Sequence, residues 1–476
     1  MRRINAVLII TTLVAIGVAN AQWPANYNHA GYDDEGKAVA VTTDNYVLVV
    51  GYVTDNSRKP AFLAYNQSGN LDDLEVESDE GSFDAVALLP NNDAIAVGDI
   101  FVSGGSCNYL AYYQRASTSN YVKTFDVGYF YSTDDKLKGV ARSPDNTLVV
   151  VGYTFVATAD ILVHKMTTDP YNISTIWFQV HNLGGFETPE DVAVDYQGNI
   201  VICGEKLNSN LDYLIIKCNS SGNIIWTREY NGGGIDYAHG IATDSQGNVI
   251  VTGRRHNGLT YDYWTIKLSP SGTILWQDVH DTGYHDLAHD VCVDADNNII
   301  VAGTSYNPAS YWLNHYIIAY SPSGSVLWTM RDDVDTDEMA NGVALAPNGC
   351  GFVTGYLDVP TQGFDIFTVR YAGMDIGGYD TQNVEASRIV LNVRRTSSNS
   401  YSIDYYLPHY TAVELNIYDV IGRNIVTLER GNLEQGWHSA QWNCRDDAGI
   451  QVPSGSYFCQ LVAGDCSETK KVLMVR

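Results

Sequence analysis

The stretch from Asp236 to Trp276, DYAHGIATDSQGNVIVTGRRHNGLTYDYWTIKLSPSGTILW, decides how the rest of the chain is read. It holds four short β patterns: HGIAT, NVIVTG, DYWTIKL and TILW. Turn-forming segments punctuate them, Asp244-Ser-Gln-Gly-Asn248 after the first and Ser269-Pro-Ser-Gly272 before the last. Together they predict one four-stranded antiparallel sheet.

The unit repeats. The glycine that ends NVIVTG, Gly253, has counterparts at Gly51, Gly98, Gly152, Gly204, Gly303 and Gly355, spaced 47 to 54 residues apart. That period is close to the length of a four-stranded propeller blade, so seven copies predict an all-β, seven-bladed β-propeller over residues 22–371. A second ruler agrees: Trp177, Trp226, Trp276 and Trp328 each lie 15 residues before a first-strand apolar residue, Val192, Ile241, Val291 and Val343. Leu71 and Phe125 hold the same offset from Val86 and Val140. A bulky residue there reads as the outer strand's anchor, and burying it is worth about 2 to 3 kcal/mol. The last copy, DIFTVRY at 365–371, has no outer strand after it, but Trp23 lies 16 residues before Val39. The mature N-terminus is therefore expected to complete the seventh blade and remove the exposed edges of an open ring.

Residues 1–21 have the form of a secretory leader: Arg2 and Arg3, an apolar run from Ala6 to Val18, then Ala19-Asn20-Ala21 as the cleavage site. No later apolar run reaches membrane-spanning length, so the expected product is exported, without a transmembrane helix once the leader is cleaved. The formal charge of −27 becomes −29 when the two leader arginines are removed. Such a balance argues against nucleic acid as a partner and favours cations or a basic partner. Of the eight cysteines, five precede residue 372 and three follow it. If Cys203 lies opposite about Asp212, Cys218 is out of disulfide reach, whereas Cys459 and Cys466 flank a tight turn and are the better pair.

Residues 372–387 read as a Gly-rich polar linker, and 388–476 as a small β-domain. About seven strands in ninety residues, from RIVLNV to TKKVLMV, suggest an immunoglobulin-like sandwich. Several features carry a resemblance: Tyr418-Asp419-Val420 with Gly422-Arg423, Gly436 with His438 and Trp442, Asp446-Asp447 with Gly449, Ser454-Gly455 with Tyr457, and the basic last strand. On these the domain resembles the FlgD-like immunoglobulin domain found as a C-terminal sorting module. The resemblance implies a type IX secretion signal, hence contact with that secretion machinery and release to, or retention at, the cell surface. The repeats resemble the bacterial propeller repeats typified by DYxTIKYDxxGNxLW, a group that implies a shape and no single activity.

Chemistry is expected where the chain leads into each first strand. Five residues before the apolar anchor stand Asp34, Asp135, Glu187, Asp236, Asp286 and Glu338, with Gly81 as the exception. Asp160, Asp212, Asp262 and Asp365 begin the third strand in four copies, so both rows should gather around one negative mouth. Either each carboxylate accepts backbone N–H groups as a device of the repeat, or the ring gathers calcium or another cationic ligand. Repulsion does not discriminate, because charges about 10 Å apart cost only about 1.7 kcal/mol at an effective dielectric of 20.

Candidate metal ligands are His239, His285 and His289, from the densest run of metal-capable side chains and its register one copy earlier. The competing reading makes them hydrogen-bonded loop and strand-start residues. Tyr52, Tyr153 and Tyr356 follow the ruler glycine and suit either packing or stacking on sugar rings. No nucleophile elbow, His-Glu-x-x-His or Walker loop is present. Uniform repeats favour a non-catalytic module that binds an extracellular glycan or protein. The alternatives are a polysaccharide hydrolase or lyase using carboxylates such as Asp236 and Asp286, and a structural surface-layer component.

Overall fold

The computed structural model describes residues 25–371 and 390–474 apart from short stretches, of which 127–134, 115–120 and 332–335 are the longest. The expected leader, Trp23 and the 372–387 linker lie outside the described residues. Strands before residue 372 form seven four-stranded antiparallel sheets. The quoted stretch becomes blade five, with strands Tyr237–Thr243, Val249–His256, Tyr261–Leu268 and Ile274–His280. Each blade's inner strand packs on the inner strand of the next, and that of blade one, Glu35–Val41, packs on that of blade seven, Glu338–Leu345. The molecule is thus a closed seven-bladed β-propeller.

Closure is made as the sequence implies. Ala25–Tyr27 pairs antiparallel with Gly363–Tyr371, Ala25 opposite Thr368 and Tyr27 opposite Ile366. The side-chain amides of Asn26 and Asn28 both donate to the Asp365 carboxylate. The edge that the last copy leaves open is covered by the first residues of the ring.

The ruler glycine has a steric cause. In all seven blades the inner strand bulges, and the residue skipped by the pairing is Lys37, Asp84, Lys138, Glu190, His239, His289 or Asn341. The bulge presses an inner-strand carbonyl onto the second strand. A Cβ at Gly253 would lie 1.9 Å from the Tyr237 oxygen, and one at Gly355 would lie 1.7 Å from that of Met339. Only glycine fits there.

The tryptophan ruler is an interblade device. Trp226 Nε1 donates to the carbonyl of Pro270 at 3.0 Å and Trp276 Nε1 to that of Pro322 at 3.1 Å, each in the Ser-Pro-Ser-Gly turn of the next blade. At Gly324, with φ of 90°, a Cβ would meet the Trp276 ring at 2.7 Å. The first turn is held by its acid: Asp244 accepts the N–H groups of Gln246 and Asn248, each at 2.9 Å, the Asn248 amide at 2.7 Å and Lys267 Nζ at 2.9 Å. Asp195 and Lys217 repeat that ion pair one blade earlier, also at 2.9 Å.

After residue 389 seven strands form two sheets. One orders Val390–Ser397, Ser400–Leu407 and Gly436–Trp442; the other orders Asn424–Leu433, Thr411–Asp419, Gly455–Ala463 and Cys466–Met474. Leu415, Ile417, Trp442 and Leu461 fill the core between them, as an immunoglobulin-like sandwich requires. Among the described residues no helix is long and apolar enough to cross a membrane.

Two cysteine expectations need correction. Cys203 faces Ile215 and not Asp212, so three residues of strand, about 10 Å, separate it from Cys218; both thiols are free, as the sequence reading concluded by a longer route. Cys459 faces Lys470 while Cys466 faces Ala463. Four ladder steps, about 13 Å, lie between the two cysteines, which is too far for the bridge favoured from sequence.

Candidate functional site

The ten acids singled out above lie at one end of the sheets. Glu187 and Asp212 both stand opposite Lys206, and Glu338 and Asp365 both stand opposite Leu357. Their burial accords with the first of the two readings given for them, carboxylates accepting backbone N–H groups as a device of the repeat, rather than with an open ring of charge. Asp34, Asp135, Glu187, Asp236, Asp286, Glu338, Asp160, Asp212, Asp262 and Asp365 are each at most 5% exposed.

Asp34, Glu187, Asp236 and Asp286 are turned inward onto their own lead-in loops. Asp34, Asp135 and Asp236 accept the N–H of the residue twenty positions on, Thr54 at 2.8 Å, Phe155 at 3.2 Å and His256 at 3.0 Å. The loop before the strand donates as well: His29 to Asp34, Leu183 to Glu187, Gly232 to Asp236 and Thr282 to Asp286. Third-row acids take asparagine amides, Asn182 on Asp160 and Asn257 on Asp262 at 2.8 Å, and Asn208 on Asp212 at 3.1 Å.

The two rows meet across blade junctions. Burial raises the Asp34 carboxyl to about 8, and the charge of Asp365 on the preceding blade adds to that effect. Burial likewise raises Asp236, Glu187 and Asp262, helped by Asp212, Asp160 and Asp286 respectively. Among the described residues no group of three or more His, Cys, Asp or Glu is arranged to hold a metal ion. Of the three candidate histidines the structure brings two together: His239 and His289 stack with ring centroids 5.3 Å apart. His285 sits in an exposed lead-in loop, where its Nδ1 accepts the Tyr261 N–H at 3.3 Å.

The more varied constellation lies on the axis; the sequence reading singles out His239, His289, Tyr52, Tyr153 and Tyr356 from it and passes over the rest. Because inner strands form the innermost ring, bulge residues of successive blades meet. Lys138 reaches Glu190 at 3.4 Å, His239 stacks on His289, and the Asn341 amide donates to the Gly36 carbonyl at 2.9 Å. Beside them stands the residue after each ruler glycine: Tyr52, Asp99, Tyr153, Glu205, Arg254, Thr304 and Tyr356. Lys136 pairs with Asp99 and Lys37 with Glu35, both at 3.4 Å. Arg254 lies over the Tyr237 ring at 4.5 Å and the Tyr261 ring at 5.1 Å. Burial, reinforced by Glu190, holds the Glu205 carboxyl well above its ordinary range. One of its oxygens accepts the Thr188 hydroxyl at 3.0 Å and the other has no hydrogen-bond partner. The signal in the sequence is variation: two columns that change chemistry from copy to copy, inside a frame that does not.

Residues 392–465 match the FlgD Ig-like domain family. The resemblance drawn from the terminal motifs and the two-sheet sandwich agree with that match. No curated protein matches the chain. Solved structures similar to it include PorZ, a bacterial surface component of the type-IX secretion system of Porphyromonas gingivalis, at 13% identity and a TM-score of 0.43, covering 92% of this chain. The chain spans 59% of the length of that PorZ structure. Sqt1 from Chaetomium thermophilum is similar at 13% identity and a TM-score of 0.45, covering 81% of this chain and 96% of its own. The polysaccharide lyase Uly1 follows at 10% identity and a TM-score of 0.47, with 71% and 90% covered.

Proposed function

We propose that the chain is an exported propeller that binds an extracellular glycan at its axial mouth, and that the C-terminal domain sorts it to the cell surface through type IX secretion. One observation carries the binding reading. Seven blades share their glycine and bulge, yet their axial pairings range over tyrosine, acid, base and imidazole, and only the lysine–tyrosine pair of blades one and three recurs. A repeat that served only to close the ring would have no physical need for that variety. Tyrosine faces and mixed hydrogen-bonding groups are what sugar rings and their hydroxyls require. The buried carboxylate rows belong on this reading to the frame.

Glycan-array binding by residues 22–476 tests it, with Tyr153→Ala and Tyr356→Ala compared at matched thermal midpoints. A tenfold or greater loss of retention is expected, and unchanged retention in both variants would sink the axial assignment. For the sorting domain, deleting residues 388–476 should leave the propeller in the periplasm. Normal surface display of the truncated chain would refute that role.

A catalytic reading draws on Glu205, a buried acid whose carboxyl burial holds well above its ordinary range, with a second acid, Glu190, adding to the rise. Such a pair supplies the raised-pKa member that acid–base hydrolysis needs. Asp236 and Asp286 suit it less, since each is buried and tied to its own loop. Turnover on a polysaccharide panel that disappears in Glu205→Gln would establish it.

A further inference from the structure

From the axial mouth we infer a subsite, built on Arg254, that takes the carboxylate of an acidic sugar residue. The inference rests on the glycan-binding reading above and specifies the class of glycan.

The chain carries 55 acidic and 28 basic residues, so a cation without an acid beside it is uncommon here. Three axial lysines are already neutralised: Lys37 by Glu35, Lys136 by Asp99 and Lys138 by Glu190, each at 3.4 Å. Among the described residues Arg254 has no carboxylate within ion-pair distance, and its buried Nε has no hydrogen-bond partner. The guanidinium carbon lies 4.5 Å from the Tyr237 ring centroid and 5.1 Å from that of Tyr261, two rings tilted 53° to each other. The tyrosines are themselves placed: Tyr237 stands directly across the ladder from Arg254, and its ring lies 6.4 Å from that of Tyr261. Contact with two rings restricts where the guanidinium lies, and its forked N–H groups match the geometry of a carboxylate. Arg254, Tyr237 and Tyr261 all keep part of their surface exposed, so a ligand reaches them.

Charge then selects among anions. One guanidinium without an ion-pair partner balances one negative charge, and a dianionic phosphate would leave a surplus near Glu205, whose carboxyl feels the Arg254 charge. A uronate supplies a planar monoanion that the guanidinium fork fits, together with ring hydroxyls. Sugar sulfate esters share the single charge and lack the planar two-oxygen edge, so they are separated by experiment.

Affinity electrophoresis of residues 22–476 in gels containing polygalacturonate, dextran sulfate or neutral dextran provides the test, with Arg254→Ala and Arg254→Lys run beside the parent protein. Polygalacturonate is expected to retard the parent, and retardation should fall at least tenfold in both variants. Arg254→Lys keeps the charge and removes the fork, so it reports on geometry even where Arg254→Ala folds poorly. Equal retardation of parent and both variants would overturn the subsite while leaving axial glycan binding intact. The same holds where only dextran is bound, or where dextran sulfate is bound and polygalacturonate is not. Retention of none of the three, together with no binding on the glycan array, would remove the subsite and the glycan reading alike.

Discussion

The imidazoles of His239 and His289 stack across the junction of blades five and six, centroids 5.3 Å apart and planes 13° from parallel. Burial lowers both, the charge of Arg254 adds to the effect, and His289 is brought to about 3. Two positive rings cannot share that contact, so the pair is neutral across the physiological range. An imidazole with a depressed folded value contributes stability that is complete above its unfolded value of about 6.5 and is lost as pH falls toward the folded one. The expected outcome is two histidine ring resonances that do not titrate between pH 5 and 8, and a urea midpoint that falls on acidification. A midpoint above pH 5 for either ring would contradict the burial seen here.

Asp34 shows the opposite sign. Its carboxyl is raised to about 8 by burial first and by Asp365 next, with the N–H groups of His29 and Thr54 pulling it down. Asp191 and Asp290, in the inner strands, are raised by burial to about 8 and about 6. A carboxyl with a raised folded value ionises first in the unfolded chain, so the stability it contributes is full below about pH 4 and is lost as pH climbs. Asp34→Asn should flatten the decline of the urea midpoint between pH 5 and 8 relative to the parent. An unchanged slope would mean that Asp34 is ionised in the folded protein.

The propeller was legible because its constraints repeat. Gly253 and its counterparts answer one steric demand, Trp226 and Trp276 answer one packing demand, and equal spacing makes both visible without any structure. The acid rows were legible only as a choice between two readings, a structural device and a cation-gathering ring. A carboxylate before a strand looks the same whether it meets solvent or, like Asp236, folds back onto the N–H groups of Gly232 and His256. The axial site was legible only in part, through the shared register of His239 and His289 and the tyrosines after the ruler glycine, and the rest was hidden for a geometric reason. A bulge is a register slip between two strands, and nothing in His239 or Glu190 alone announces that it is the residue skipped. The cysteine error has the same root, since one residue of register moves every facing pair.

The steric account of the ruler glycine separates two glycines of blade five. A methyl group at Gly253 would lie 1.9 Å from a backbone oxygen with strand on both sides, whereas at Gly258, φ 102°, nothing lies within 4 Å. Gly253→Ala should cost more than about 3 kcal/mol, the range in which severe steric changes fall. Gly258→Ala meets only its own backbone preference and should cost about 1 kcal/mol. Denaturant midpoints of the two variants measure the difference. Equal costs would show that the bulge relaxes to admit a side chain.

Ring closure rests on a short strand of three residues, so side chains must help hold it. Asn26 and Asn28 place two amide donors on Asp365, a buried carboxylate that would otherwise face the cost of lost hydration with fewer partners. Replacing both with alanine should cost about 1 to 3 kcal/mol for each partner withdrawn. The loss should appear first as faster amide exchange in Ile366, Phe367 and Thr368, which face the seam strand, with blades three to five unchanged. Asp365→Leu in the same background removes the stranded polar group and should recover part of the stability, because a polar group deleted with its partners costs less than one left behind. Recovery without any change at the seam amides would place the Asp365 contribution inside blade seven. Exchange that rises equally in every blade would show that the ring opens as one cooperative unit.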